Sequence, residues 1–374
     1  MVSTETADSP TAARSTDAGD GQTTKRLVKG NEAVAWGAIH GGCEAFFGYP
    51  ITPQNEIPEL LSDLMPRYGR VFLQAESEVA SINMVYGAAA AGHRVMTSSS
   101  SPGISLMMEG LSYCAGARLP CVLVNVQRGG PGLGNIAAAQ GDYFQAVKGG
   151  GHGDYRCIVL APWNVQEMFE FPALAFDLAD RYRMPAFVLA DAVLGSMLEP
   201  AEIPPEPPPV RKIDKPWATT GRGNRTYKNV ANSLYLDIDE LSAHNESLQK
   251  VYAEVAANEV RWDGRQLDDA EHVIVAYGIS ARVALSAMTT LRRAGLKFGL
   301  FRPITLFPFP IGELRELATR CKSFHVFELS AGQMVEDVRL AVEQRAPVEF
   351  FGKMGGVLPT PDELADVLRR QARK

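Results

Sequence analysis

Glu78, Thr52 and Arg128 are the side chains in this sequence best placed to do chemistry. Each stands just past a short apolar run that reads as a β-strand, and ligands in open α/β sheets sit at the carboxyl ends of strands. Glu78 follows Val71-Phe72-Leu73-Gln74 and Ala75-Glu76-Ser77, and opens a small-residue stretch over 79–92. Ala and Gly there let backbones approach closely. A carboxylate at that point could touch a bound cofactor, or could be an acid drawn to a helix start by the helix dipole. Thr52 lies in Gly48-Tyr49-Pro50-Ile51-Thr52-Pro53, where two prolines make a rigid turn and hold the hydroxyl in one place. Pro53 could equally just open the next helix. Arg128 ends an apolar strand and precedes Gly129-Gly130-Pro131-Gly132-Leu133-Gly134-Asn135. Glycines beside it admit a ligand, and its fork suits a carboxylate clamp. The other reading is a surface arginine on a mobile loop. The glycine spacing does not fit G-x-G-x-x-G, so a Rossmann dinucleotide site is rejected.

Two further loops carry polar groups. Ser98 to Ser101, with Pro102-Gly103, precede a helical pattern. Their hydroxyls and the free N–H groups at the helix start could hold an anion or a carbonyl oxygen, although Ser101 could instead be an N-cap. His152 stands among four glycines in Gly149-Gly150-Gly151-His152-Gly153-Asp154. An acid–base or substrate role is open to it, as is an exposed turn.

The elements that must position these residues alternate along the chain. Strand-like runs at 45–47, 71–74, 95–97, 121–126, 158–160 and 186–190 are separated by helical patterns such as 104–117 and 165–182. This predicts a doubly wound parallel sheet with helices on both faces. Asn31 is expected to cap a helix ending at Gly41-Gly42. Residues 200–209 read as a proline-rich linker, and 234–260 as a polar helix lying across a neighbour. A smaller α/β unit begins near His272. The division expected is thus a disordered extension over 1–26, a first domain over 27–200, a linker and helical excursion over 201–268, and a second domain over 269–374.

Composition narrows the function. The chain has 374 residues and a net charge of -6, which argues against nucleic-acid binding. No run approaches the roughly 18 apolar residues of a membrane helix. Five scattered cysteines without a C-x-x-C pair predict no metal site in this chain and a reduced, cytoplasmic setting.

Tyr-Pro-Ile-Thr-Pro, then Gln-Ala-Glu-Ser-Glu before a small-residue helix, then a strand ending in Arg, resembles the α subunit of the 2-oxoacid:ferredoxin oxidoreductases. The resemblance covers 27–374 and implies a thiamine diphosphate-binding-type pyrimidine domain followed by a transketolase C-terminal-like domain. It implies that Glu78 bonds N1′ of the aminopyrimidine and favours the imino tautomer that deprotonates the thiazolium C2. It places Pro50 beside the cofactor and Thr52 and Arg128 at the substrate; Tyr49 and Ser101 are further expected at the cofactor, and His152, from its glycine-rich loop, at the substrate. The reaction implied is oxidative decarboxylation of a 2-oxo acid with CoA to acyl-CoA, CO2 and reduced ferredoxin. The Gly-Asp-Gly…Asn segment that binds Mg2+ and the diphosphate is missing; Gly141-Asp142-Tyr143 and Gly153-Asp154-Tyr155 do not match it. A β subunit must therefore supply that half, and γ and ferredoxin-like subunits the iron–sulfur clusters. Gly132-Leu133 replaces a Ser-Thr usual in 2-oxoglutarate enzymes, which points to 2-oxoisovalerate and a less polar pocket. Phenylglyoxylate or 2-oxoglutarate, an NAD-linked flavin subunit, a non-oxidative decarboxylase half and a non-catalytic scaffold subunit are the alternatives.

Overall fold

The computed structural model describes residues 24–373. In chain order its first part holds β1 (Thr24–Lys29), α1 (Gly30–His40), β2 (Ala45–Gly48), α2 (Glu56–Arg67), β3 (Val71–Gln74), α3 (Glu78–Ala90), β4 (Val95–Ser99), α4 (Ser101–Gly116), β5 (Val122–Gln127), α5 (Tyr143–Val147), β6 (Ile158–Leu160), α6 (Val165–Tyr182), β7 (Ala186–Asp191), α7 (Ala192–Ser196) and β8 (Leu198–Ile203). The remainder holds α8 (Ile238–Asn258), β9 (Trp262–Arg265), β10 (His272–Val275), α9 (Gly278–Arg293), β11 (Phe298–Pro303), β12 (Thr305–Phe307), α10 (Ile311–Leu317), β13 (Ser323–Glu328), α11 (Met334–Val342), β14 (Val348–Gly352) and α12 (Pro361–Gln371).

Strands β4, β5 and β7 are buried along their whole length, as strands of a parallel sheet covered on both faces should be, even though β4 ends in Thr97-Ser98-Ser99. The larger sheet runs β12-β6-β7-β5-β4-β2-β3. All its pairings are parallel except β12 with β6. Exits of β5, β4, β2 and β3 therefore lie side by side on one edge. Side chains of successive strand residues point to opposite faces. Ser98 reaches Gln54 beside α2, whereas Ser99 lies against Gly103 of α4, so α2 and the α3–α4 pair cover opposite faces. Gly110 of α4 makes room for Ile82 of α3. The outward stripe of α3 is Val79, Asn83 and Gly87, all exposed.

The second sheet runs β14-β13-β10-β11-β9, with β9 antiparallel. Its unit is bolted to the first by β12, which joins the larger sheet, and by Arg302. That guanidinium grips Glu167 of α6 with two bonds of 2.8 Å and stacks 4.4 Å over Trp163.

Three details differ from the sequence reading. Residues 24–26, read with a disordered extension, lie in β1, which pairs with β8; residues 1–23 of that extension lie outside the described residues. The start of the proline-rich linker is likewise taken up by β8. Asn31 is not a cap: α1 starts at Gly30, and the Asn31 amide bonds Pro53 O at 2.7 Å and Glu56 at 2.8 Å. It ties the two-proline turn to α1 instead. Beyond the linker, the chain crosses the far end of the larger sheet. There Lys215 pairs with Asp180 at 2.7 Å, Trp217 lies under Arg183, and α8 buries Leu248, Tyr252 and Val255.

Candidate active site

The first turn of α4 is the hub of the site. Glu78 flanks it on one side and Arg128 on the other.

Glu78 is the first residue of α3, after Ser77, whose side chain caps the helix by accepting from Ala80 N. It is 5% exposed. Among the described residues no group donates a hydrogen bond to its carboxylate. That carboxylate lies over Gly103: a Cβ built there would sit 2.5 Å from Glu78 Oε1 and 2.1 Å from Ser99 Oγ. Any larger residue there would force Glu78 or Ser99 to shift, because real Cβ atoms do not approach heavy atoms so closely. The neighbouring Glu76 is exposed.

Arg128 is buried and held on three sides. Its backbone N–H donates to Ser101 Oγ at 3.0 Å, Nη1 to Thr52 O at 2.8 Å and Nη2 to Leu133 O at 3.1 Å. Its Nε is buried without a partner. The Thr52 hydroxyl accepts from Asn55 at 3.3 Å, on an exposed turn beside the exposed Tyr49 and Pro50. Ser101 is not the N-cap; Ser100 is. Ser101 Oγ instead donates to Asp142 at 2.6 Å, and Asn125 donates to the same carboxylate at 2.9 Å. Burial raises the Asp142 carboxyl, and these two bonds oppose that rise.

Between this hub and the second unit lies a cleft of about 650 Å³. Among the described residues Arg128 and Asp142 are its only charged lining groups; Pro131, Gly132, Leu329 and Met354 make much of the rest. Gln140 closes its back. Fully buried, it donates to Tyr277 O and accepts from Ser280 Oγ and Leu329 N, while its own N–H donates to Leu329 O. Tyr143 adds a bond to Asp337 at 2.6 Å.

The structure thus brings together Glu78, Ser101, Arg128 and Thr52, with Tyr49 and Pro50 at the rim. It does not bring His152 to them. That residue is exposed, its carbonyl accepting from Ser112 and its ring standing 6.1 Å from Tyr113, about three turns along α4 from Ser101. Sequence reasoning took in Ser99 and Gly103 only as members of the serine run, with no role of their own, and gave Gln140 and Asp142 no place in the site. A glycine two residues into a helix was a faint signal for one of them.

A parallel sheet with a carboxylate past the exit of β3 and an arginine past the exit of β5, roofed by a second α/β unit, fits a subunit of the thiamine diphosphate-dependent 2-oxoacid oxidoreductases. The chain belongs to this family: residues 36–261 match the pyruvate flavodoxin/ferredoxin oxidoreductase thiamine diphosphate-binding family, and residues 270–364 match pyruvate:ferredoxin oxidoreductase core domain II. It is similar to the ketoisovalerate oxidoreductase subunit VorB of Methanothermobacter thermautotrophicus, at 56% identity over 92% of this chain and 96% of that one. It is also similar to the 2-oxoglutarate synthase subunit KorA of Methanocaldococcus jannaschii, at 36% identity over 90% and 97%. A solved 2-oxoglutarate:ferredoxin oxidoreductase from Magnetococcus marinus, with 2-oxoglutarate, coenzyme A and succinyl-CoA bound, superposes with a TM-score of 0.80 at 27% identity. The match covers 93% of this chain and 65% of that one. No helix among the described residues is long and apolar enough to cross a membrane.

Proposed function

We propose that this chain is the subunit that activates thiamine diphosphate in an oxidoreductase that converts a branched-chain 2-oxo acid such as 2-oxoisovalerate, with CoA, to acyl-CoA and CO2. The observation that carries the proposal is the Glu78 carboxylate, on a residue only 5% exposed, without a hydrogen-bond partner among the described residues and set over a glycine that leaves it room. An acceptor at so sheltered a place is free to take a donor from a bound molecule. The aminopyrimidine edge of the cofactor is the right complement, and Glu78 would hold the proton at N1′. When bound, the cofactor supplies the electron sink for decarboxylation.

The chain's own residues then have separable tasks. Tyr49 and Pro50 line the approach. Arg128 binds the carboxylate of the 2-oxo acid, with its spare guanidinium hydrogens and the Thr52 turn fixing the orientation. Among the described residues no second cation lines the cleft, so a second carboxylate on the substrate would be left unmatched, and an apolar branch is the better fit. The similarity to a ketoisovalerate oxidoreductase subunit supports this choice.

The diphosphate and its Mg2+ belong to a β subunit on this reading. Exposed apolar side chains beside the site support a covering chain: Val71 and Leu73 on the edge strand β3, Val79 on α3 and Leu106 on α4 are 41–54% exposed. An unpaired apolar sheet edge is otherwise a liability. Electrons would leave through iron–sulfur subunits to ferredoxin, in the cytoplasm.

The test is an assay of the purified native complex for CoA-dependent reduction of ferredoxin with 2-oxoisovalerate, 2-oxoglutarate, pyruvate and phenylglyoxylate. The highest kcat/KM is expected with 2-oxoisovalerate. A preference for 2-oxoglutarate would overturn the substrate assignment, and activity without CoA would overturn the reaction.

A further inference from the structure

We propose that Ser99 is a positioning residue for Glu78, its hydroxyl donating to the carboxylate so that one oxygen is tied down and the other is presented to the cofactor. This rests on the reading of Glu78 given above.

The four serines at the exit of β4 are all buried, and three are spoken for. Ser98 donates to Gln54 at 2.6 Å, Ser100 to Val126 O at 2.8 Å and Ser101 to Asp142 at 2.6 Å. Ser99 is the exception: at 0% exposure, its Oγ has no partner. A buried hydroxyl left alone calls for an explanation. Its neighbour supplies one. Ser99 Oγ and Glu78 Oε1 both crowd the empty Cβ position of Gly103, so two unsatisfied oxygens, one a donor and one an acceptor, meet at the same glycine. A change of staggered rotamer at either side chain can close the gap. A hydroxyl bonded to a carboxylate is among the stronger hydrogen bonds. Strand β4 is rigid and fully buried, whereas Glu78 stands at the first residue of a helix whose outer stripe is exposed. Ser99 therefore supplies the fixed side of the pair.

The experiment compares Ser99→Ala, Ser99→Thr, Thr97→Val and Glu78→Gln in the native complex. Thr97 is a second buried, unpartnered hydroxyl on the same face of β4, so it controls for loss of a buried hydroxyl as such. Thiamine diphosphate is titrated into each cofactor-stripped complex, and near-ultraviolet circular dichroism follows the bound aminopyrimidine. Ser99→Ala is expected to weaken cofactor binding about tenfold, the equivalent of one hydrogen bond of about 1.4 kcal/mol. It should also reduce the dichroism and lower kcat while leaving KM for the 2-oxo acid unchanged. Ser99→Thr, which keeps the hydroxyl, should restore both signals, and Thr97→Val should match the unaltered complex. Wild-type binding and dichroism in Ser99→Ala, or an equal loss in Thr97→Val, would overturn the inference. Should Glu78→Gln keep full activity, the reading of Glu78 fails instead; if Glu78→Gln is inactive and Ser99→Ala behaves as wild type, only the role of Ser99 fails.

Discussion

If Arg128 binds the substrate as proposed, it is oriented beforehand, because carbonyls from two different loops already hold both ends of its guanidinium. A lysine offers one point charge and cannot span Thr52 O and Leu133 O together. Arg128→Lys should therefore raise KM for the 2-oxo acid roughly 10- to 100-fold, the equivalent of 1.4–3 kcal/mol for a charged hydrogen-bond set, with a smaller fall in kcat; steady-state kinetics of the complex read this directly. The residue was legible in the sequence, since a charge at a strand exit beside glycines has few structural uses. Ser99 and Asp142 were not. Their meaning depends on Gly103, Ser101 and Asn125, and one polar residue in a serine run looks like the next until the strand assigns each to a face. His152 misled for a related reason: glycines signal backbone freedom, and the length of α4 decides where that freedom is spent.

At the scale of elements, the start of α4 and the loop after β5 do the positioning. A methyl group at Gly103 would meet Glu78 and Ser99 at once, so Gly103→Ala should displace the carboxylate and abolish most activity while the complex still assembles, as size-exclusion chromatography would show. The loop after β5 depends on Gln140. Gln140→Leu removes bonds to Tyr277, Ser280 and Leu329 and strands their buried groups, at about 1–3 kcal/mol each. A fall in unfolding free energy of at least about 2 kcal/mol is expected, measured by urea denaturation of the complex; an unchanged midpoint would show that the cleft does not rely on this residue. Long apolar strands and α6 were legible because burial writes a continuous apolar run and an amphipathic period into the sequence. Strands β1, β8, β9 and β12 were not: none carries a long continuous apolar run, and each pairs antiparallel with a segment distant in the chain, so no local pattern marks it.

Across the whole molecule, two α/β units share one larger sheet and enclose the cleft, and this arrangement carries a pH signature. Burial lowers His325, packed against Ser323 and Gln371, to about 4, and lowers His40 likewise to about 4. Both fold as neutral rings, so the unfolded chain binds more protons between about pH 6.5 and 4, and stability is present above that window and falls as pH drops through it. Asp191 works in the opposite sense: burial raises it to about 6, so its contribution improves as pH drops from 6 to 4. Buried Asp142, Glu167 and Glu328 are raised as well, so the single-site difference is the test: His325→Gln should lose less of its denaturation midpoint than the unaltered chain between pH 6.5 and pH 4. The family and its parallel sheet were readable from three motifs in order. The joining of the units through β12, Arg302 and Gln140 was not, because it is written in contacts between residues more than a hundred positions apart. The central claim, that Glu78 does the cofactor's proton work, is tested most directly by Glu78→Gln in the assembled complex. The variant keeps shape and hydrogen-bonding capacity but cannot hold the proton at N1′ as a carboxylate does. A loss of kcat of at least about 100-fold, the lower range for a general acid–base group, is predicted, with assembly and KM for the 2-oxo acid little changed. Full turnover in that variant would contradict the account.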